Sequence, residues 1–417
     1  MKVNEEAPRV RTVLYISYDG MTDQLGQSQV LPYLIGLSKY GYKFHLISCE
    51  KPERFAKSKH IIEKICSDNG IIWHPVRYRK SPPVLSTLID VRSIFKKSRE
   101  IFDAAPVEMI HCRGYISGLI GLKMKKQKGL KFLFDMRGLW ADEKVDAGTW
   151  RLSNPIFRAV FRYFKRKERA FFENADYSVS LTHAGKKEIH SWKHLSNNPV
   201  RMKVIPCCAD LNLFSPLSVD EKMQESIRKE LGISAGEHLI AYLGSIGGWY
   251  MLEEMLDFFT EYSRRYPASK FLFISMDHHD LIRLRARERG IKSSSILIRG
   301  ASRSEVAASL SLCRHSVFFI RPTYSKISSS PTKQAELMGM GIPVICNDGV
   351  GDTGVIVSKY SSGIAITDFN NKEYVKAIDK LSSTEFDSNR IRAGARDYFS
   401  LEDGIQSYLE IYQEVLT

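Results

Sequence analysis

Short apolar runs rich in Val, Ile, Phe and Tyr alternate along this chain with longer amphipathic stretches. In the first half the runs are VLYISYDG, KFHLIS, EMIHCRG, KFLFDMRG, YSVSLT and MKVIP; in the second they are HLIAYLGS, KFLFIS, SILIRG, HSVFFIRP and IPVICND. Between them lie helical patterns such as 31–40, where Leu31, Leu34, Ile35 and Leu37 share one face. Near-continuous apolar strands alternating with helices predict parallel sheets covered on both faces. The series restarts after PCCADLNLFSPLSVDEKMQ, a proline-bearing polar stretch read as a linker. The expected fold class is therefore α/β, with two doubly wound, Rossmann-like domains at 1–207 and 208–397 and a closing segment at 398–417. Ligands of such folds bind beyond the carboxyl ends of the strands and, with two domains, in the cleft between them.

A length of 417 residues exceeds one ordinary core and suits two domains. With 43% hydrophobic and 26% charged residues, the composition excludes disordered and fibrous classes. The net charge of +14 changes the picture more, because it favours anionic partners: nucleic acid, an anionic membrane surface or phosphorylated substrates. Seven cysteines carry no CxxC pair, and several sit in strand-like runs where a reduced thiol packs as a small hydrophobe. The start lacks an apolar leader, and no stretch approaches the roughly 20 apolar residues of a spanning helix. The expected location is cytoplasmic, at most peripheral to the inner face of a membrane.

The densest signal is SSSPTKQAELMGMGIPVICND, 328–348. Ser330 reads as an N-cap, Pro331 as the first helical residue, and Thr332 and Lys333 as the rest of a first turn with outward N–H groups. A helix start at a strand's carboxyl end, with a lysine beside it, suits phosphate. IRPTYSK adds Arg321 and Lys326 in the preceding loop. Glu336, further along the helix, could accept hydrogen bonds from the sugar hydroxyls of a nucleotide, or could pair with a neighbouring Lys or Arg.

This pattern resembles the signature of glycosyltransferase family 4, retaining enzymes of the GT-B fold that use nucleotide sugars. That family's motif has two glutamates eight positions apart. Glu336 matches the second, which the resemblance implies holds the donor ribose; Ser328 stands where the first would be. VLYISYDGMTDQLGQSQVLPYLIGLSKYGYKFHLIS is similar to the family's opening strand, glycine loop and helix. VIPCCADLNLFSP is similar to the entry into the second domain, and AYLGSIGGWYMLEEMLDFF to its first strand and turn. There the family carries an Arg after the turn glycine and a Lys soon after, both on the donor diphosphate. Here Ser245 follows Gly244 and SIGGWYM has no lysine. Arg321, Lys326 and Lys333, with the amides of Gly247 and Gly248, are the candidates to supply that charge. The resemblance further implies a donor held by the second domain, a glycan or lipid-linked acceptor held by the first, and a closing helix near IQSYLEIYQEVL crossing back. It implies no metal, and no cofactor beyond the nucleotide-sugar co-substrate.

In the first domain FDMRGLWADEKVDAGTW concentrates the chemistry. A retaining transfer needs a stabilised leaving diphosphate, a shielded oxocarbenium-like centre and a positioned acceptor hydroxyl. Arg137 could bind phosphate or sugar, and Asp135, Asp142 or Glu143 could orient hydroxyls beside Gly138; alternatively Asp135 and Arg137 form an ion pair that fixes the loop. His111 and Arg113 end another strand, and Gly20 and Gly26 bracket a loop where backbone could approach ligand. Closure of the domains would bring the Arg137 loop over the donor and exclude water. Asp277–Asp280, DHHD, reads as a helix cap in preference to a metal site. NPIFRAVFRYFKRKERAFFENADY interleaves Arg158, Arg162, Lys165, Arg166, Lys167 and Arg169 with aromatics, as a packing helix with a basic face or one that docks on anionic lipid.

The expected activity is thus transfer of a hexose from a nucleotide-diphosphate donor in surface polysaccharide or glycoconjugate synthesis. Its rivals are a nucleotide-sugar epimerase of the same fold, an inactive sugar-binding relative, and a nucleic-acid-binding protein, for which none of the familiar modules is present.

Overall fold

The computed structural model describes residues 10–195, 199–234 and 236–417. It divides into two units: residues up to Ile205 together with Leu401–Thr417, and Pro206–Ser400.

Unit 1 is a parallel sheet of β1 Arg11–Ser17, β2 Tyr42–Glu50, β3 Ile72–Arg77, β4 Val107–Arg113, β5 Lys131–Asp135, β6 Tyr177–Ser180 and β7 Met202–Val204, in the order β3-β2-β1-β4-β5-β6-β7. Central strands are buried on both faces, as their unbroken apolar runs require: Val13, Leu14, Ile16, Phe44 and Phe132 have no exposure. Strand order reverses at β1, so a crevice opens beyond the carboxyl ends of β1 and β4, where Ser17 pairs with Arg113 and Arg113 with Asp135.

The helix Leu401–Leu416 belongs to this unit. Its Ile405 lies on Gly36, where a Cβ would come within 2.3 Å of the isoleucine, and its Tyr408 and Tyr412 meet Tyr33 and Tyr42 edge-on. Only glycine at position 36 lets the two helices approach so closely.

Unit 2 repeats the plan with β8 His238–Leu243, β9 Ser269–Ile274, β10 Ile296–Arg299, β11 His315–Val317, β12 Val344–Asn347 and β13 Gly363–Ile366, in the order β10-β9-β8-β11-β12-β13. Its reversal falls between β8 and β11, which positions the loops after those two strands side by side. These two parallel sheets with alternating helices are the two Rossmann-like domains of the expected α/β class.

The stretch read as a linker is instead part of unit 2. Cys207, Cys208 and Phe214 are buried, Ala209 N–H donates to the carbonyl of Phe399, and the helix Glu221–Glu230 begins at a capping Asp220. Its prolines mark a turn at Pro216–Ser218 within a packed segment. All seven cysteines are buried, as small hydrophobes would be. Among the described residues no helix is long and apolar enough to cross a membrane.

Candidate active site

In unit 2 the loop after β8 and the loop after β11 are laced together. Arg321 N–H donates to the Trp249 carbonyl at 2.9 Å and Met251 N–H to that of Phe319 at 3.0 Å. Two consecutive aromatics of the first loop each carry a lysine: Lys326 Nζ sits 3.9 Å from the Trp249 ring centre and Lys333 Nζ 3.6 Å from that of Tyr250. Such contacts hold a cation without a carboxylate.

Lys333 reaches this place from the first turn of the helix Thr332–Gly339. Its Nζ donates to the Tyr242 hydroxyl at 3.0 Å, and that hydroxyl donates to the Ser245 carbonyl. A Cβ on Gly244 would lie 2.9 Å from the amine, and Gly244 has φ +119°, so glycine is required there twice over. The lysine thus stands at the turn where Ser245, an exposed residue, follows the glycine. Gly247 and Gly248 both have positive φ, with open space where side chains would be.

Burial drives the Lys333 amine well below its ordinary value, against the opposing pull of Glu336. Burial likewise pushes the Glu336 carboxyl up to about 7, partly offset by Arg303 and Lys333. Glu336 has no ion pair within 4.0 Å among the described residues, but Arg303 and Lys333 both act on it electrostatically.

The helix starts one residue later than the sequence suggests. Pro331 occupies the N-cap position with ψ 116°, and the Ser330 hydroxyl accepts from Cys207 N–H at 3.2 Å. Because Pro331 is itself extended, the helix begins at Thr332 and Ser330 lies one residue before the cap. No side chain caps the first-turn amides around Thr332. Ser328, at the place of the missing first glutamate, is fully buried with its hydroxyl unpartnered among the described residues. Arg321 is exposed.

In unit 1 the centre is Asp135. It is buried at the end of β5 with Arg137 Nη1 at 3.7 Å, His111 Nε2 at 3.7 Å and Arg113 Nη1 at 3.9 Å, and it accepts from the Tyr408 hydroxyl at 2.9 Å. Burial raises the carboxyl, but the Arg137 guanidinium, with His111 and Arg113, outweighs it and holds the group down at about 2. Burial also lowers His111, whose Nδ1 lies 2.7 Å from the Tyr412 hydroxyl. Arg137 has φ +57° and Gly138 φ +129°, a conformation that costs an arginine roughly 1 kcal/mol and that the Asp135 pair offsets. Tyr408 and Tyr412 have no motif in the sequence; on the apolar face of a closing helix they read as packing residues.

Other expected residues have internal partners. Asp142 is bound by Lys165 at 2.8 Å, which also pairs with Glu168, so this lysine of the basic helix faces inward. Glu143 is half-buried in the first turn of the helix Trp140–Asp146. The Gly20 loop is filled by a residue the sequence does not single out: buried Glu50 accepts from the N–H of Met21 at 2.7 Å, the N–H of Thr22 at 3.1 Å and the Ser48 hydroxyl at 2.5 Å. Gly20 and Gly26 admit close packing, since a Cβ would meet Glu50 Oε2 at 2.7 Å and the Gly20 carbonyl at 2.2 Å respectively. In DHHD, His278 precedes the helix His279–Glu288 without a capping bond, in left-handed geometry.

Two Rossmann-like sheets of parallel strands with alternating helices match the domains of GT-B glycosyltransferases. Residues 223–398 match Glycosyl transferases group 1 and residues 30–213 match Glycosyltransferase Family 4. The chain belongs to this family of GT-B glycosyltransferases and is a glycosyltransferase. No curated protein matches it in sequence. Among solved structures it is similar to sucrose-phosphate synthase from Thermosynechococcus elongatus, with 15% identity over 97% of this chain and 99% of that one and a TM-score of 0.70. It is similar also to Anabaena HepE, solved with UDP and glucose, with 11% identity, coverage of 96% and 99% and a TM-score of 0.69. S. aureus MnaA, solved with UDP, gives 12% identity, 97% coverage of both chains and a TM-score of 0.60.

Proposed function

We propose that unit 2 holds the diphosphate of a nucleotide sugar between the loop after β8 and the helix Thr332–Gly339, and that the enzyme transfers a hexose, with retention, to a glycan or lipid-linked acceptor received by unit 1. The observation that carries this reading is the placement of the Lys333 amine at the Gly244 turn, 3.0 Å from the Tyr242 hydroxyl. Lys333 supplies from the helix the positive charge that the loop itself lacks. The first-turn amides near Thr332 and the amides of Gly247 and Gly248 add oriented donors, and Lys326 and Arg321 extend the positive field. Cationic side chains and amides offset the charge of the leaving diphosphate, so the reading needs no metal. Glu336 takes the ribose hydroxyls. In unit 1 Arg137 meets the anionic part of the substrate, and Asp135, committed to its neighbours, is a positioning residue for it. Surface polysaccharide or glycoconjugate synthesis is the setting this chemistry suits.

Calorimetric titration with UDP, GDP, ADP and CMP tests the donor site. One diphosphate should bind at micromolar level, and Lys333→Ala and Glu336→Ala should each weaken it roughly tenfold or more. Equal affinity in all three proteins would place the donor elsewhere.

A further inference from the structure

Two helices of unit 1 begin at the carboxyl rim of its sheet with apolar side chains bared. Leu85–Ala104 follows β3, and Pro155–Asn174 follows β5 after a short helix; Leu85 and Leu88 are each 52% exposed and Ile156 is 64% exposed. Along each axis the exposed line then changes character. From Leu85 and Leu88 it passes to Arg92 and Lys96, at helical spacing; from Ile156 it passes through Ala159 and Tyr163 to Arg166, with Arg162 alongside. Both helices pack on the helix Gly114–Lys128, so their apolar starts share one face of the sheet as well as one rim.

The charge around these starts has one sign. Residues 151–167 hold six cations and no acid, and residues 77–99 hold seven cations and one acid, Asp90. That acid is buried and taken by Arg79 and Tyr18. Separate apolar tips backed by arginines and lysines fit a partner that presents hydrocarbon at a fixed depth and anions at any lateral spacing. A folded protein partner would instead have to present its acids at fixed positions.

We propose that this rim docks unit 1 on an anionic phospholipid surface, with Leu85, Leu88 and Ile156 entering the headgroup boundary and Arg92, Arg162 and Arg166 meeting lipid phosphates. The surface lies wholly in unit 1 and stands or falls independently of the donor site in unit 2. The same rim carries Arg113, Asp135 and Arg137 at the strand ends, so a lipid-borne acceptor would be met from the docked side.

Flotation of the full chain with vesicles tests it. Wild type should float with phosphatidylcholine vesicles containing phosphatidylglycerol and stay behind with phosphatidylcholine alone. The triple change Leu85→Ser, Leu88→Ser, Ile156→Ser should weaken binding roughly tenfold, and Arg162→Glu with Arg166→Glu roughly fivefold per residue, each with a wild-type thermal midpoint. Lys43→Glu with Lys126→Glu, at the opposite edge of the sheet, should bind as wild type. Binding equal on neutral vesicles, no binding at all, or the same loss in the opposite-edge variant would overturn the proposal. So would a wild-type dimer in sedimentation that the rim changes dissociate, which would make a second copy the occupant.

Discussion

Lys333 and Gly244 are matched across unit 2: the amine occupies the space a Cβ on the glycine would need, with 2.9 Å between them. The helix start and the turn after β8 are therefore one device, although 89 positions separate them in sequence (333 minus 244).

Gly244→Ala should show this. The methyl strains a backbone at φ +119° and displaces the amine, so stability should fall by about 1–3 kcal/mol. Nucleotide affinity should fall about as far as in Lys333→Ala. A melt and a titration check both; a Gly244→Ala protein with unaltered nucleotide affinity would separate the turn from the site.

Proton linkage gives a second check, with opposite signs at two residues. Glu336 titrates near 7, so below that pH a ribose whose hydroxyls need the carboxylate should expel a proton. Lys333, held low by burial, should take one up when a diphosphate arrives. Titrations in buffers of different ionisation enthalpy should show net uptake in Glu336→Gln and net release at pH 6 in Lys333→Met. In the ligand-free protein the stability that neutral Glu336 gives is present below its unfolded value and is lost as pH rises through about 7.

Asp135 predicts an acid limb of the opposite sense. Its folded value of about 2 lies below the unfolded one, so its stability, of order 2 kcal/mol, is present above about pH 4 and is lost as pH falls toward 2. Tyr408→Phe removes the donor at 2.9 Å and should cost about 1–3 kcal/mol while moving this limb to higher pH. Urea unfolding between pH 2.5 and 7 measures it; a limb unmoved by the change would show that Asp135 does not depend on the closing helix.

Glu50→Ala should loosen the Gly20 loop, because three hydrogen bonds from Met21 and Thr22 lose their acceptor. A loss of about 3 kcal/mol and faster amide exchange at Met21 and Thr22 are expected. Exchange as slow as in wild type would mean the loop is held by other contacts.

Among the described residues eleven strands are legible in the apolar runs, and the two that escape, β3 and β13, each lie at one edge of a sheet. An outer strand needs less burial, so β3 tolerates Pro75 and β13 is only GIAI. Lys333 and Glu336 are legible as site candidates because they lie within one motif. Glu50, Tyr408 and Tyr412 are not, since their partners are set by tertiary packing: Tyr408 meets Asp135 from 273 positions away. The start of that helix is legible only to within one residue, because capping preference is a local rule and the Ser330 hydroxyl takes a distant donor in Cys207.

The return of Leu401–Leu416 to unit 1 has a consequence for synthesis. Tyr33 and Gly36 emerge from the ribosome before unit 2, but the helix that covers them is made after it. Unit 2, contiguous from Pro206 to Ser400, can complete its fold first, while unit 1, whose other residues are translated before it, waits for Leu401–Leu416.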